Sequence, residues 1–148
     1  MHFAVHAPHF GAHADPRVLA DLAAEAEAAR WDGFFIWAHL VMWWPVAVAA
    51  PGVALAAIAL RTERIRFGPL VTPLARRRPQ VVARQAATLD HLSAGRLILG
   101  VGLGTHPEEF EYFGEPPGFK QRAERLDEAL EIVDGLWRGE PFHYRGEH

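Results

Sequence analysis

Cysteine is absent from the 148 residues. Its absence excludes disulfides, thiolate metal sites and a cysteine nucleophile, and it fits a reducing, cytoplasmic setting. The chain also lacks a basic stripe, and its formal net charge is −3, so no nucleic-acid partner is expected. Arg76-Arg77-Arg78 is the one tight basic cluster. It reads as a solvated loop, with a phosphate contact as the alternative. The opening MHFAVHAPHFG has no basic segment followed by a long apolar run, so no signal peptide is expected. Charge is missing altogether from Leu40 to Leu60, which raises the question of a membrane span. Pro45, Pro51 and Gly52 interrupt that stretch and alanine dominates the rest. A hydrophobic loop followed by a buried helix is the expectation, with no membrane partner.

What is present is enough apolar material for a core: 50% of the residues are hydrophobic, and the length suits one domain over 1–148. The centre of the chain is Arg61 to Thr105. Ile65 to Val71 and Leu97 to Val101 are continuous apolar runs, the pattern of strands buried on both faces in parallel sheets. Between them Val82, Gln85, Ala86, Leu89 and Leu92 mark one helical face. Strand, helix and strand make a βαβ unit.

The flanks extend this unit. His2 to Ala7 reads as a first strand. Asp15 then stands at a helix cap with Pro16 at the first helical position. Gly33 to Trp37 is a second strand, and a helix is expected from about Val46 to Leu60. Leu126, Ala129, Leu130, Val133, Leu136 and Trp137 keep a helical period near the end. Four strand–helix pairs predict an α/β fold with a parallel sheet and right-handed crossovers.

A dinucleotide-binding domain would carry its glycine fingerprint after the first strand. Here the glycines are Gly100, Gly102 and Gly104, after the fourth, with G-x-G-x-G spacing. They serve either a tight exit loop or close approach to the backbone. His2 and His6 share a strand face, and His9 and His13 follow in a loop. No carboxylate is placed with them, so no metal site is expected.

LVTPLARRRPQVVARQAATLDHLSAGRLILGVGLG resembles the signature stretch of the bacterial-luciferase-like family of flavin- or deazaflavin-dependent oxidoreductases. GFFIWAHL, ALAAIALRTERIRFG, EEFEYFG and RLDEALEIVDGLWRGEPFHYRGEH extend the likeness almost end to end. The resemblance implies a TIM-type (β/α)8 barrel with its active site at the C-terminal strand ends. Such a barrel needs about 250 residues, so the chain matches an N-terminal half, a parallel (β/α)4 half-barrel.

The resemblance also assigns roles. The family's loop after strand three contacts the coenzyme ring beside a non-prolyl cis peptide. That loop matches Pro69, Leu70, Val71 and Thr72, with Thr72 a hydrogen-bond donor to the ring; without the resemblance, Thr72-Pro73 is an ordinary strand-ending turn. Gly102 and Gly104 would let the cofactor approach strand four. His39 matches a histidine that moves protons or touches the ring. The family's Asp-His is Ala38-His39 here, so no carboxylate adjoins the histidine in sequence. Trp43 matches an active-site tryptophan of some deazaflavin users, though Trp43-Trp44 also reads as simple packing. Thr105 stands where some deazaflavin dehydrogenases have an acid. His106, Glu108 and Glu109 read as a solvated loop.

The expected coenzyme is FMN, with an 8-hydroxy-5-deazaflavin as the alternative, or none held by this chain alone. Barrel phosphate sites belong to the loops after strands seven and eight, which this stretch does not contain. The expected activity is luciferase-like oxidation of a small organic substrate, with a flavin reductase as possible partner. The alternative is a non-catalytic flavin-binding half-barrel. Open strand edges favour association, so a homodimer or higher oligomer is expected.

Overall fold

The computed structural model describes residues 1–115 and 118–148. After Gly104 the sequence, with Pro107, Pro116, Pro117 and Gly118, reads as a loop leading to the last helix, and Pro116 and Pro117 lie outside the described residues. Strands β1 (Ala4–Ala7), β2 (Gly33–Ile36) and β3 (Arg66–Pro69) form one parallel sheet in the order β1-β2-β3. β4 (Thr72–Pro73) continues β3 and pairs in parallel with β5 (Val101–Gly102). Spatial order therefore follows chain order. With right-handed crossovers, every connecting helix lands on the same face. α1 (Pro16–Ala28), α2 (Pro51–Arg61), α3 (Pro79–Leu92) and α5 (Phe119–Trp137) form that layer, and α4 (Glu108–Glu111) is a short turn in the last loop.

Strand register sorts the side chains. Val5, Phe34 and Phe67 are aligned across the sheet and pack with Leu19, Ala23, Leu55 and Ile58 of the helices. The next row, His6, Phe35 and Gly68, faces the other way. A second cluster joins Leu74, Val82 and Ala83 to Ala129 and Val133 of α5, with Leu99 and Val101 against it. The helix-facing side is thus a filled core, while Ile98 on the opposite face remains 41% exposed.

Proline sets several of the boundaries. Asp15 caps α1, accepting from the Arg17 N–H at 2.9 Å, with Pro16 inside the first turn as expected. α2 starts at Pro51, five residues after the expected Val46. The residue before a proline avoids helical angles, and Ala50 is extended at φ −70°, ψ 118°. Val48 instead bridges to Phe10, and Ala49 N–H donates to the His9 carbonyl at 2.8 Å.

Strand three departs from the expected single run Ile65 to Val71. It breaks at Leu70-Val71, whose peptide bond is cis. Strand four, expected over Leu97 to Val101, makes one bridge from Leu97 to Phe67 before the short β5 ladder. A Cβ on Gly68 would collide with the Ile98 carbonyl, so only glycine lets these strands approach so closely.

Two charged side chains hold the sheet's N-terminal end. The Glu27 carboxylate accepts from Ile65 N–H at 2.6 Å, Arg64 N–H at 2.6 Å and Glu63 N–H at 3.1 Å. Burial pushes its pKa up, but those N–H donors outweigh it and hold the carboxyl below its ordinary range. Arg96 donates to the carbonyls of Ala59 and Thr62, both at 2.8 Å, closing the end of α2 against strand four. Among the described residues no helix is long and apolar enough to cross a membrane.

Candidate active site

The loop after β2 carries His39, and the loop after β5 returns to it. Glu109, in α4, is only 2% exposed. Its Oε2 lies 3.1 Å from His39 Nδ1 and 2.8 Å from Arg76 Nη1. Its Oε1 accepts from the Leu40 N–H and, at 3.3 Å, from the Val41 N–H. Arg76 follows β4 in a short 3-10 turn, Leu74–Arg76, and donates from Nη2 to the Ala38 carbonyl at 3.0 Å. One carboxylate therefore ties the exits of strands two, three and four together.

The electrostatics of this knot are one-sided. Burial alone would raise the Glu109 carboxyl. The His39 and Arg76 side chains, with the Leu40 N–H, outweigh it and bring the pKa down to about 2. Glu109 is therefore ionised at neutral pH, and the Arg76 guanidinium beside it is a buried ion pair with side-chain exposures of 3% and 2%.

His9 supports the same loop from below. It is fully buried, and its Nε2 lies 2.9 Å from the His39 carbonyl. A carbonyl only accepts, so His9 donates there. Burial is the main cause that lowers its pKa, with its hydrogen bond to His39 acting against. Around His39 the rings of Trp37 and His106 stand edge-on at 5.5 and 5.1 Å.

His39 and Glu109 open onto a cavity of about 550 Å³ at the C-terminal strand ends. Leu70, Val71, Pro73, Leu103 and Phe119 make its apolar wall, and His6, His39, Thr105, His106 and Glu109 supply polar groups. Among the described residues the lining holds no arginine or lysine. A planar aromatic ring suits such a wall; a phosphate finds no cation in it.

Placement of the residues singled out in sequence is uneven. His39, Leu70, Val71 and Gly104 all line the cavity. Thr72 does not: it is 7% exposed and borders a cleft between α2 and α3 with Leu55 and Val82. Its N–H donates to the Gly100 carbonyl at 2.8 Å. Gly102 leaves room that the protein itself takes, since a Cβ there would lie 2.8 Å from Val71 Cγ2. Gly104 has φ +82°, and a Cβ would lie 3.0 Å from the Phe110 ring. Trp43 does not line the cavity: it is 57% exposed, 4.4 Å from the His106 ring and 4.6 Å from Trp44.

Some expectations need correction. Glu109 is not part of a solvated loop, because its carboxylate pairs with Arg76 and His39 in the interior. Arg76 is likewise buried; the expected solvated basic loop describes only Arg78, which is exposed. The carboxylate missing at Ala38 is supplied from seventy residues further along the chain. Arg122, not noticed in sequence, is 1% exposed and donates to the Gly104 carbonyl at 2.8 Å. Its guanidinium lies 4.6 Å from the Phe110 ring and 4.3 Å from Phe119. Its spacing on α5, four residues before the buried stripe at Leu126, Ala129 and Val133, was the available signal.

A parallel strand–helix succession with helices on one face, and a histidine-bearing cavity at the C-terminal strand ends, defines part of a TIM-type barrel enzyme fold. The model of the family described as luciferase-like monooxygenase matches residues 1–148. The chain belongs to that family, whose members include flavin- and F420-dependent oxidoreductases. Among curated relatives, the F420-dependent glucose-6-phosphate dehydrogenase of Nocardia farcinica (strain IFM 10152) is 40% identical over 138 residues, covering 90% of this chain and 41% of that protein. The enzyme of the same name from Mycobacterium avium (strain 104) is also 40% identical, again over 90% of this chain and 41% of its own length. The chain thus spans about two fifths of the length of the curated relatives it matches.

Among solved structures, the oxygenating constituent of 3,6-diketocamphane monooxygenase from Pseudomonas putida, in complex with FMN, superposes with a TM-score of 0.86 at 26% identity, over 99% of this chain and 42% of that one. An F420-dependent secondary alcohol dehydrogenase with an F420–acetone adduct gives a TM-score of 0.88 at 23% identity, over 99% and 45%, which speaks to the fold alone.

Proposed function

We propose that this chain forms the ring-binding half of an oxidoreductase that uses a deazaflavin coenzyme on a small hydroxyl-bearing molecule. The observation that carries the reading is the buried Glu109–His39 pair opening onto the apolar cavity lined by Leu70 and Val71. Relatives of 36–40% identity are F420-dependent dehydrogenases, which favours deazaflavin over FMN. When bound, such a ring accepts hydride. Leu70, Val71 and Leu103 would pack its face and exclude water. His39 would take the proton of the substrate hydroxyl as the neighbouring C–H hydride leaves. Thr105 has no acid to offer, and of the three histidines in the lining His39 is the one paired with the Glu109 carboxylate, which makes it the proton acceptor of this reading.

The FMN reading has its own support in the likeness to the diketocamphane enzyme. There the substrate would be a small organic molecule oxidised with oxygen, and a flavin reductase would supply the reduced coenzyme. Among the described residues the cavity lining offers no arginine or lysine to a phosphate, so this reading assigns the chain the ring of the coenzyme. The open edges of β1 and β5 also support a homodimer.

Fluorescence titration tests this reading. Saturable quenching of F420, with a dissociation constant in the high-micromolar range (about 4–5 kcal/mol of binding energy), and weaker quenching of FMN are expected. Val71→Arg should abolish it. Stronger quenching of FMN transfers the reading to the flavin class. Ring binding with no turnover on any hydroxylated substrate favours the non-catalytic role. No quenching of either coenzyme removes the proposal.

A further inference from the structure

We propose that Glu109 is a positioning residue that sets the tautomer of His39, holding the proton on Nδ1 and leaving Nε2 as the basic nitrogen. This deepens the reading above, because His39 can accept a substrate proton only at a nitrogen that carries none.

The argument begins with charge. Glu109 has a pKa of about 2 and is buried beside the Arg76 guanidinium. At neutral pH it is a carboxylate, which can accept hydrogen bonds and cannot donate. The atom facing its Oε2 at 3.1 Å is His39 Nδ1, so Nδ1 must be the donor. The neutral ring then has its lone pair on Nε2, since the tautomer of a histidine follows the hydrogen bond its other nitrogen makes. Among the described residues, Nε2 makes no hydrogen bond to the protein.

Other contacts prevent escape from this state. A ring flip would take Nδ1 away from Oε2 and forfeit that hydrogen bond, while the N–H groups of Leu40 and Val41 hold the carboxylate in place through Oε1. Glu109 could swing away, but Arg76 bridges it to the Ala38 carbonyl. Among the described residues, Arg76, Arg77, His9 and His106 are the titratable groups around this pair, and none of them hydrogen-bonds His39 Nδ1. The arrangement does in space what a neighbouring acid at position 38 would do in sequence.

Histidine ring 15N NMR reads the tautomer directly, with no coenzyme present. The full chain is labelled at its histidine rings, and His39 is assigned by the signals lost in His39→Gln. At mildly alkaline pH the wild type should show a protonated Nδ1 and a bare Nε2, the reverse of the preference of histidine in water. In the double variant Arg76→Met/Glu109→Leu, which replaces the buried pair by apolar groups of similar size, the protonated-Nδ1 signal should give way to the water-like mixture. A wild-type spectrum with the proton on Nε2 overturns the proposal, and it does so whether or not the double variant folds. An unchanged Nδ1–H signal in a folded double variant overturns it too. Because no coenzyme enters the experiment, failure of ring binding leaves this result standing. Conversely, ring binding with the wrong tautomer removes only the role of Glu109.

Discussion

Replacing Glu109 by glutamine keeps the length of the side chain and removes its charge. The carboxyl falls from an ordinary value of 4.5 to about 2 on folding. Each pKa unit corresponds to about 1.4 kcal/mol, so ionised Glu109 stabilises the native state by about 3 kcal/mol at neutral pH. Its folded pKa is depressed, so this stabilisation is full above the unfolded value and is lost as pH falls toward the folded value. Linkage gives about 3 kcal/mol at pH 7, about half of that at pH 3, and little below pH 2. Against a total stability of about 5–15 kcal/mol for a domain, the loss at pH 7 is large. Urea unfolding of wild type and Glu109→Gln across this range measures the gap between them. The reasoning requires that gap to narrow by about half between pH 7 and pH 3. A gap of constant size would mean that the glutamine disrupts packing and that the charge of Glu109 contributes nothing.

Gly104→Ala should cost about 1–3 kcal/mol, because φ is +82° and the new Cβ would press on Phe110 and Pro73; thermal unfolding reads it, and an unchanged Tm would contradict the crowding. Ile58→Ala empties a fully buried site between α2 and the sheet and should cost about 2–5 kcal/mol in urea unfolding. His39→Asn should leave coenzyme-ring binding within a few-fold of wild type while removing proton acceptance. Loss of ring binding in that variant would give His39 a packing role instead.

The strand–helix succession was legible because its signals are local. Asp15-Pro16 marks a helix start, and the apolar runs at Phe34 and Phe67 are core strands. The loop of Leu70 and Val71 was legible only through family resemblance, as no periodicity marks a turn that lines a cavity. The central ion pair was not legible. Glu109 lies among Glu108 and Glu111, and Arg76 beside Arg77 and Arg78, so each looks like one charge in a solvated run. What separates Glu109 from its neighbours is the long-range return of its helix to the exit of strand two, which no local pattern records. The start of α2 slipped for a simpler reason: apolar residues from Val46 to Ala50 continue the composition of the helix, but Pro51 forces the chain before it to stay extended.

Backbone amide shift mapping during F420 titration tests the central claim most directly. If the cavity at the strand ends holds the ring, amides of Leu70, Val71, Leu103, Thr105 and His106 will move with ligand. Those around the apolar groove between α3 and α5, at Asp90, His91 and Leu130, will stay in place. Shifts confined to that groove, or no shifts at saturating coenzyme, would contradict the account.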